Sequence, residues 1–154
     1  MACQIGGMDT ARIEKRIGVR ATPDRIWGLI SDLPSWDRWN PVETDVAGVI
    51  AFSGELALTE TIDALAPRRA TARIVEWQPR AQLVWSEKRG LWFRSLRYFE
   101  IQHLDEVADA CIVANGFIFS GVRGEMFFDK NRKHLRHAVD AVADAWKAAA
   151  EGPA

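Results

Sequence analysis

The chain has 154 residues, of which 48% are hydrophobic and 27% charged, and its formal net charge is -1. A chain of this length suits one domain with a substantial core, and the near-zero net charge excludes a general attraction to nucleic acid or to an anionic membrane. No apolar run reaches the roughly 18 residues that a bilayer-spanning helix needs, and the first residues lack the basic and apolar segments of a secretory signal. We therefore expect a cytoplasmic protein with no nucleic-acid partner and no stable membrane insertion.

The first part of the chain is predicted to form one strand and two short helices. Residues 1–11 are predicted to be a flexible tail. Residues 12–20 alternate between apolar and charged side chains, which indicates a half-buried strand. Thr22-Pro23 provides the capping residue and the first-turn proline of a helix start. A second short helix should carry Trp36 and Trp39 on one face, because they are three residues apart.

Six further strands are predicted before the C-terminal helix. Short turns separate them, for example at Gln78-Pro79-Arg80, where proline occupies a usual turn position. No helical pattern interrupts the series, which excludes a parallel sheet built from β-α-β units. The predicted strands cover residues 42–50, 54–62, 69–77, 82–88, 94–103 and 109–120.

The last predicted element is a long helix over residues 125–150. It contains no proline or glycine and is rich in alanine, and Gly152-Pro153 follows it as a helix stop. Its apolar side chains recur with a period of 3.6 residues and so mark one face. Because a lone helix with one apolar stripe must pack on something, we expect it to lie on the sheet. The stripe consists of Phe128, Leu135, Val139, Val142 and Trp146.

Several segments resemble the START-type helix-grip superfamily, in particular its bacterial polyketide cyclase/dehydrase-like and lipid-transport-like proteins. The resemblance implies an α+β helix-grip fold, in which a curved antiparallel sheet of about seven strands wraps around the C-terminal helix and two short helices follow the first strand. It spans residues 12–150, which we expect to form one domain. Its motifs specify the fold rather than the activity. No nucleotide-binding or zinc-binding motif occurs in the sequence, so we expect no cofactor. The matching segments are residues 17–27, Asp32, residues 36–41, 75–79 and 83–85, and the final helix.

The resemblance also implies a space for a small, mostly apolar ligand between the sheet and the C-terminal helix, and sites of this kind are lined mainly by apolar and aromatic side chains. Trp36 and Trp39 would then either form an aromatic mouth or plug one end of the core. The candidate ligand-binding residues are Trp36, Trp39, Trp85, Phe99, Ile101, Val113, Asn115, Phe117, Phe119, Leu135, Val139 and Val142.

Polar candidates lie on the strand that contains residues 96–103 and on its neighbours. If Phe99 and Ile101 point inward, Arg97 and His103 do so as well. His103 would then be a possible general base, or else an ordinary histidine at the water boundary. An inward Arg97, His103 or Asn115 would be a polar anchor for a ligand carbonyl or carboxylate. Glu60 is in phase with apolar neighbours, where its pKa would be raised, unless it is solvated at the strand end.

Three features outside this cavity have both a functional and an ordinary explanation. His134 and His137 are spaced for metal ligation, but cationic neighbours oppose it, so we expect no metal site. The run Lys130–His137 is predicted to be a solvated helix face rather than a phosphate contact. Trp92-Phe93 is predicted to form an exposed hairpin tip. It would either gate the cavity or contact a membrane or partner, or it would be an ordinary pair of exposed aromatic residues.

Three functions are compatible with the sequence. The leading hypothesis is binding of a lipid, polyketide or aromatic metabolite. The alternative is a cyclase or dehydratase that uses His103 with Glu60 or Asn115. A third is a protein-interaction module, which predicts an exposed apolar patch around Trp92-Phe93. The sequence determines neither the ligand nor the oligomeric state.

Overall fold

The computed structural model describes residues 11–107 and 109–153. Apart from Ala11, the predicted N-terminal tail lies outside the described residues. Ala11 is buried, and its carbonyl accepts a hydrogen bond from the Phe119 amide at 2.9 Å. The elements are β1 (Arg12–Val19), α1 (Pro23–Ser31), a 3-10 turn (Leu33–Ser35), α2 (Trp36–Trp39), β2 (Glu43–Gly48), β3 (Glu55–Glu60), β4 (Arg68–Gln78), β5 (Gln82–Gly90), β6 (Phe93–His103), β7 (Cys111–Ser120) and α3 (Val122–Glu151).

The seven strands of the described residues form one antiparallel sheet in the order β1-β7-β6-β5-β4-β3-β2. Strands β2 to β7 pair consecutively because short turns connect them, whereas α1 and α2 carry the chain from β1 at one edge to β2 at the other. This arrangement, together with the long C-terminal helix, confirms the predicted α+β helix-grip fold.

Helix α3 covers the concave face of the sheet and contacts β1, β6 and β7. It begins three residues earlier than predicted, directly after Gly121, and its predicted apolar stripe is buried. Burial of each large apolar side chain contributes about 1.5–3 kcal/mol to folding, which exceeds what helix propensity alone supplies. The sheet therefore fixes where α3 lies.

Helix α1 is attached to the C-terminal end of α3. The Thr22 hydroxyl caps α1 by accepting from the Arg25 amide at 3.2 Å, as predicted from the sequence. The Arg25 guanidinium donates to the carbonyls of Ala149 at 3.2 Å and Gly152 at 2.7 Å. A cation is stabilised near the last carbonyl groups of a helix, because the helix dipole gives that end a partial negative charge.

Strand β6 has large buried side chains on both faces. Arg97, Phe99 and Ile101 point to the concave side, as one of the two possible phases predicted. Tyr98 is also buried, but on the convex side, where its hydroxyl donates to Glu14 of β1 at 2.8 Å. The Tyr98 side chain passes over Gly116 of β7. Any larger residue at position 116 would clash with it, because an added Cβ would lie 2.4 Å from the Tyr98 oxygen.

Three connections meet at one end of the sheet, which we call the groove end. They are the β3–β4 loop (61–67), the β5–β6 tip (Leu91 and Trp92) and the β7–α3 junction at Gly121. An added Cβ at Gly121, whose φ is +84°, would lie 2.1 Å from the Trp92 carbonyl oxygen, so the tip and the junction are in close contact. The β2–β3, β4–β5 and β6–β7 turns lie at the opposite end. In the described residues, no helix is long and apolar enough to cross a membrane.

Candidate functional site

A groove of about 490 Å³ opens at the groove end, between the first turns of α3 and the β3–β4 loop. This volume is within the range of small-molecule sites. Its walls are mainly apolar, and three polar side chains line it as well. The lining residues are Leu65, Phe93, Arg123, Met126, Phe127, Lys130 and Asn131.

Aromatic rings form the inner side of the groove, and a buried guanidinium lies behind them. The Phe93 and Phe127 rings lie 5.1 Å apart, and Phe119 lies 5.2 Å from Phe127. The Arg89 guanidinium is within 5.3–5.9 Å of all three ring centroids, and its side chain is only 5% exposed. Such cation–π contacts stabilise a desolvated cation, so the inner wall has a fixed polar layer behind an apolar surface.

Arg89 belongs to a cluster of two arginines and two glutamates, of which Arg89, Glu60 and Glu87 are buried and Arg68 reaches the surface. It donates to both oxygens of Glu60, at 3.0 and 2.7 Å, and to the Ser95 hydroxyl at 2.8 Å. Arg68 bridges Glu60 and Glu87 by further hydrogen bonds. The formal charges balance, which a buried ionic cluster requires if it is to remain ionised.

The structure corrects the prediction for Glu60. Burial alone would raise the pKa of its carboxyl, but the nearby charges and hydrogen bonds of Arg89 and Arg68 outweigh burial and lower it below its ordinary value of 4.5. Glu60 is 6% exposed, so it is not solvated at the strand end either. An ionised, doubly paired carboxylate is poorly suited to exchange protons near neutral pH.

A second buried network lies deeper on the concave face. Arg97 donates to both carboxylate oxygens of Glu43, to the Asn115 side-chain oxygen at 2.9 Å and to the Gly116 carbonyl at 3.2 Å. The Asn115 amide donates to the Val139 carbonyl of α3 at 3.1 Å. The Asn40 amide also donates to Glu43, at 3.0 Å. Asn115 therefore links the sheet to α3, and its polar groups already have protein partners.

The predicted ligand-binding residues lie in the packed core. With the exception of Trp39, which is half-buried, each of them is at most 7% exposed. A cavity that admits water would leave part of these side chains accessible, so protein atoms fill most of the space beside them. A ligand space at these residues stays a prediction, and it requires the side chains to move apart.

Trp36 and Trp39, which the sequence predicts as either an aromatic mouth or a plug of the core, pack against this core. Trp36 packs at 5.2 Å from the Phe99 ring and 5.9 Å from the Trp85 ring, and its indole N–H donates to the Ile30 carbonyl at 3.0 Å. Trp39 stacks on Trp146 at 6.5 Å. The indole N–H groups of Trp39 and Trp146 have no acceptor among the described residues, although both are shielded from solvent.

The histidines are not brought into the groove. His103 ends β6 at the opposite end of the sheet, ten residues from Phe93 and so roughly 33 Å away along the strand. Its side chain is 45% exposed. His134 and His137 lie on α3, where they line a separate pocket together with Asp63 and Asp140. In the described part of the chain, no group of three or more potential ligands could hold a metal ion.

Three residues at or behind the groove are not among those predicted from the sequence: Glu87, Arg89 and Arg123. The first two continue the inward phase of Trp85 along β5, and this alternation of 85, 87 and 89 was a usable signal. Arg123 carried no comparable signal, because it lines the groove only through the position of α3 over the sheet.

Comparison with known proteins gives the family. The family model described as "Polyketide cyclase / dehydrase and lipid transport" matches residues 10–151. No curated protein matches the chain by sequence.

Solved structures show the same fold at low sequence identity. A hypothetical protein from Helicobacter pylori aligns with a TM-score of 0.76 and 11% identity, over 95% of this chain and 91% of that one. A START superfamily protein from Mycobacterium smegmatis aligns with a TM-score of 0.59 and 18% identity, over 86% and 97%. The di-domain ARO/CYC BexL from the BE-7585A biosynthetic pathway aligns with a TM-score of 0.67 and 18% identity, over 87% of this chain but 45% of BexL.

A second di-domain ARO/CYC, StfQ from the steffimycin pathway, is also covered over only 50% of its length. The chain therefore spans about half of each of these two relatives. At such identities the likeness to solved structures concerns the fold alone. Since the family model covers nearly the whole chain, the protein belongs to the polyketide cyclase/dehydrase and lipid transport family.

Proposed function

We propose that the protein binds a small, mostly apolar metabolite with one anionic group, and that the groove at the start of α3 is where it binds. The observation that carries this proposal is the combination of an apolar wall with two basic side chains at one opening. The family description, which includes lipid transport, supports the same class of ligand.

The apolar part of the ligand would lie against Leu65, Phe93, Met126 and Phe127. Met126 is 65% exposed, so a ligand would cover apolar surface that now faces water. Each square ångström of apolar surface removed from water contributes about 25 cal/mol. A flexible methionine beside rigid rings also adapts to ligands of different shape.

The anionic group would lie near Arg123 and Lys130. Both side chains are exposed, and neither forms an ion pair with any residue in the described ranges. Arg89 is less suited to this role, because Glu60 and Ser95 already take its donors. Its contribution is to fix the rings behind the groove.

Calorimetric titration with decanoate and with decanol tests this assignment. The two probes share an alkyl chain and differ in the carboxylate. We expect Arg123→Glu to weaken decanoate binding about tenfold, which corresponds to about 1.4 kcal/mol, and to leave decanol binding unchanged. Leu65→Ala should weaken both probes. Arg38→Glu, an equal charge change at an exposed site on α2, is the matched control.

Two results would contradict the proposal. If neither probe binds the unaltered protein, the groove does not hold this class of ligand. If Arg123→Glu and Arg38→Glu weaken decanoate equally, only the overall charge matters and the anchor is misplaced.

The cyclase or dehydratase alternative is supported by the family description but less by the geometry. Its three proposed residues do not meet: His103 is at the opposite end of the sheet, Glu60 is held by two arginines, and Asn115 bridges Arg97 and Val139. None of the seven residues that line the groove is a histidine or a carboxylate. Ligand binding is therefore the function that the site favours.

A further inference from the structure

Four large apolar side chains are exposed side by side at the groove end. Leu91, Trp92, Val122 and Met126 are 63%, 67%, 63% and 65% exposed. They come from the β5–β6 tip and the first turns of α3, which touch, because the Arg123 amide donates to the Trp92 carbonyl at 3.1 Å. We call these four residues the docking patch. Contiguous exposed apolar surface of this kind marks interaction sites.

The backbone at Trp92 is in an unfavourable conformation for its side chain. Its φ is +55°, in the left-handed region that glycine and asparagine adopt at much lower cost. The Trp92 ring forms no aromatic pair with another described residue, so packing does not account for a tryptophan there. Strain of this kind at an exposed tip points to a functional role for the side chain.

Basic side chains surround the docking patch. Lys88 and Arg94 face each other across the β5–β6 hairpin just before the tip, and Arg123 and Lys130 lie on α3. All four are exposed, and none forms an ion pair within residues 11–107 and 109–153. Glu125 is the one acidic residue in the first turn of α3. Asp129, next to Lys130, is paired with Arg132 at 3.2 Å. Four cations and one carboxylate that is unpaired among the described residues therefore give the patch a positive local charge, although the whole chain has a formal net charge of -1.

We propose that the docking patch inserts into the interfacial layer of an anionic lipid membrane. Tryptophan with aliphatic neighbours and a basic rim is the combination that binds this layer, since the apolar groups enter the headgroup boundary and the cations contact anionic headgroups. Met126 belongs to both the docking patch and the groove, so docking would turn the groove opening toward the lipid. The inference concerns a surface and does not depend on what the groove binds.

Cosedimentation with lipid vesicles tests this proposal. One vesicle population contains phosphatidylcholine and phosphatidylserine in equal amounts, and the other contains phosphatidylcholine alone. We expect binding to the first to exceed binding to the second and to fall with added salt. Trp92→Gly should lower the partition onto anionic vesicles by about tenfold without loss of thermal stability, because glycine adopts the same backbone conformation freely. Lys88→Ala/Arg94→Ala should reduce the preference for anionic vesicles.

Phe52→Gly is the matched control, since Phe52 is 85% exposed in the β2–β3 turn at the opposite end of the sheet. It should bind vesicles as the unaltered protein does. Trp92→Gly should still bind decanoate in solution, because Trp92 does not line the groove, so failure of docking and failure of ligand binding can be told apart.

The proposal is overturned if the unaltered protein does not bind anionic vesicles, or if Trp92→Gly binds them equally well. An equal loss in Phe52→Gly would show nonspecific adsorption and would also overturn it. The same holds if Trp92 instead mediates self-association without lipid binding, because a second copy of the chain would then occupy the patch.

Discussion

Arg97 and Glu43 form a two-point ion pair although three strands separate β6 from β2 in the sheet. Both residues are 1% exposed. The contact is possible because the sheet curves so strongly that the start of its edge strand reaches the middle of the concave face. The Phe99 and Phe117 rings lie 4.4 Å from the Arg97 guanidinium and shield it from water.

Removal of one partner of this ion pair should strongly lower the free energy of unfolding. Arg97→Met leaves the Glu43 carboxylate buried with the Asn40 amide as its remaining side-chain partner. We expect a loss of about 3–5 kcal/mol in the free energy of unfolding, measured by urea denaturation.

The double variant Arg97→Met/Glu43→Met should recover part of this loss, because it removes the uncompensated charge. Arg69→Met, which breaks the exposed Arg69–Asp45 pair, should cost at most about 1 kcal/mol. Equal losses in Arg97→Met and Arg69→Met would show that burial does not determine the strength of the first pair.

The Glu60 cluster predicts a specific loss of stability in acid. The pKa of Glu60 is lowered in the folded protein, so its ionised form stabilises the fold above the ordinary value of 4.5, and this contribution is lost as the pH falls through the folded value. The unaltered protein should therefore lose stability more steeply below pH 4.5 than Glu60→Gln does. At pH 7 we expect Glu60→Gln to be less stable by about 3 kcal/mol, since two arginines lose a partner.

Glu55→Gln on the same strand is the control, because the Glu55 side chain is 71% exposed. Its curve of unfolding free energy against pH should follow that of the unaltered protein. If Glu60→Gln follows the same curve as well, the cluster does not hold Glu60 ionised in the way the structure indicates.

Much of the fold could be predicted because its signals are local. The period of α3, the Thr22 cap and the turns between strands each depend on residues close in sequence. The phase of β6 could not be settled in this way, because Tyr98 and Phe99 are both large. It is settled by register, since Gly116 lies opposite Tyr98 and provides room for it on the convex face.

The groove and its charged cluster were harder to predict because their residues are far apart in the sequence. Glu60 looked like a lone carboxylate because its partners Arg68 and Arg89 lie on other strands, up to 29 residues away. Only the pairing of β3 with β4, and of β4 with β5, brings these charges together. The sequence also could not show that the concave face is packed, because close packing depends on the shapes of side chains from many elements.

Two tryptophans should differ sharply in their contribution to stability. Trp85 is 3% exposed and packs on Trp36 and Phe99, whereas Trp92 is 67% exposed. We expect Trp85→Ala to lower the free energy of unfolding by about 3–5 kcal/mol and Trp92→Ala to change it by at most about 0.5 kcal/mol. Thermal and urea denaturation measure both. A small effect in Trp85→Ala would indicate that the concave face is loosely packed, as an open internal ligand cavity requires.

Two glycines should respond in opposite directions to substitution by alanine. An added Cβ at Gly28, in α1, meets nothing within 4 Å, so Gly28→Ala should raise the free energy of unfolding by about 0.5–1 kcal/mol through helix propensity. At Gly116 the Cβ would lie 2.5 Å from the Ile13 carbonyl oxygen as well as 2.4 Å from the Tyr98 oxygen. The backbone of β1 must then move, and we expect a loss of about 1–3 kcal/mol.

Tyr98→Ala separates the side chain of Tyr98 from the β1 backbone as neighbours of Gly116. The substitution removes both the Tyr98 oxygen and its ring carbon Cζ, which would lie 2.4 and 2.5 Å from an added Cβ, and leaves the Ile13 carbonyl in place. The double variant Tyr98→Ala/Gly116→Ala should therefore still be less stable than Tyr98→Ala alone. Urea denaturation of the four proteins gives the coupling between the sites. If alanine at position 116 costs no stability once the Tyr98 ring is gone, the phenol rather than the β1 backbone is what requires glycine there.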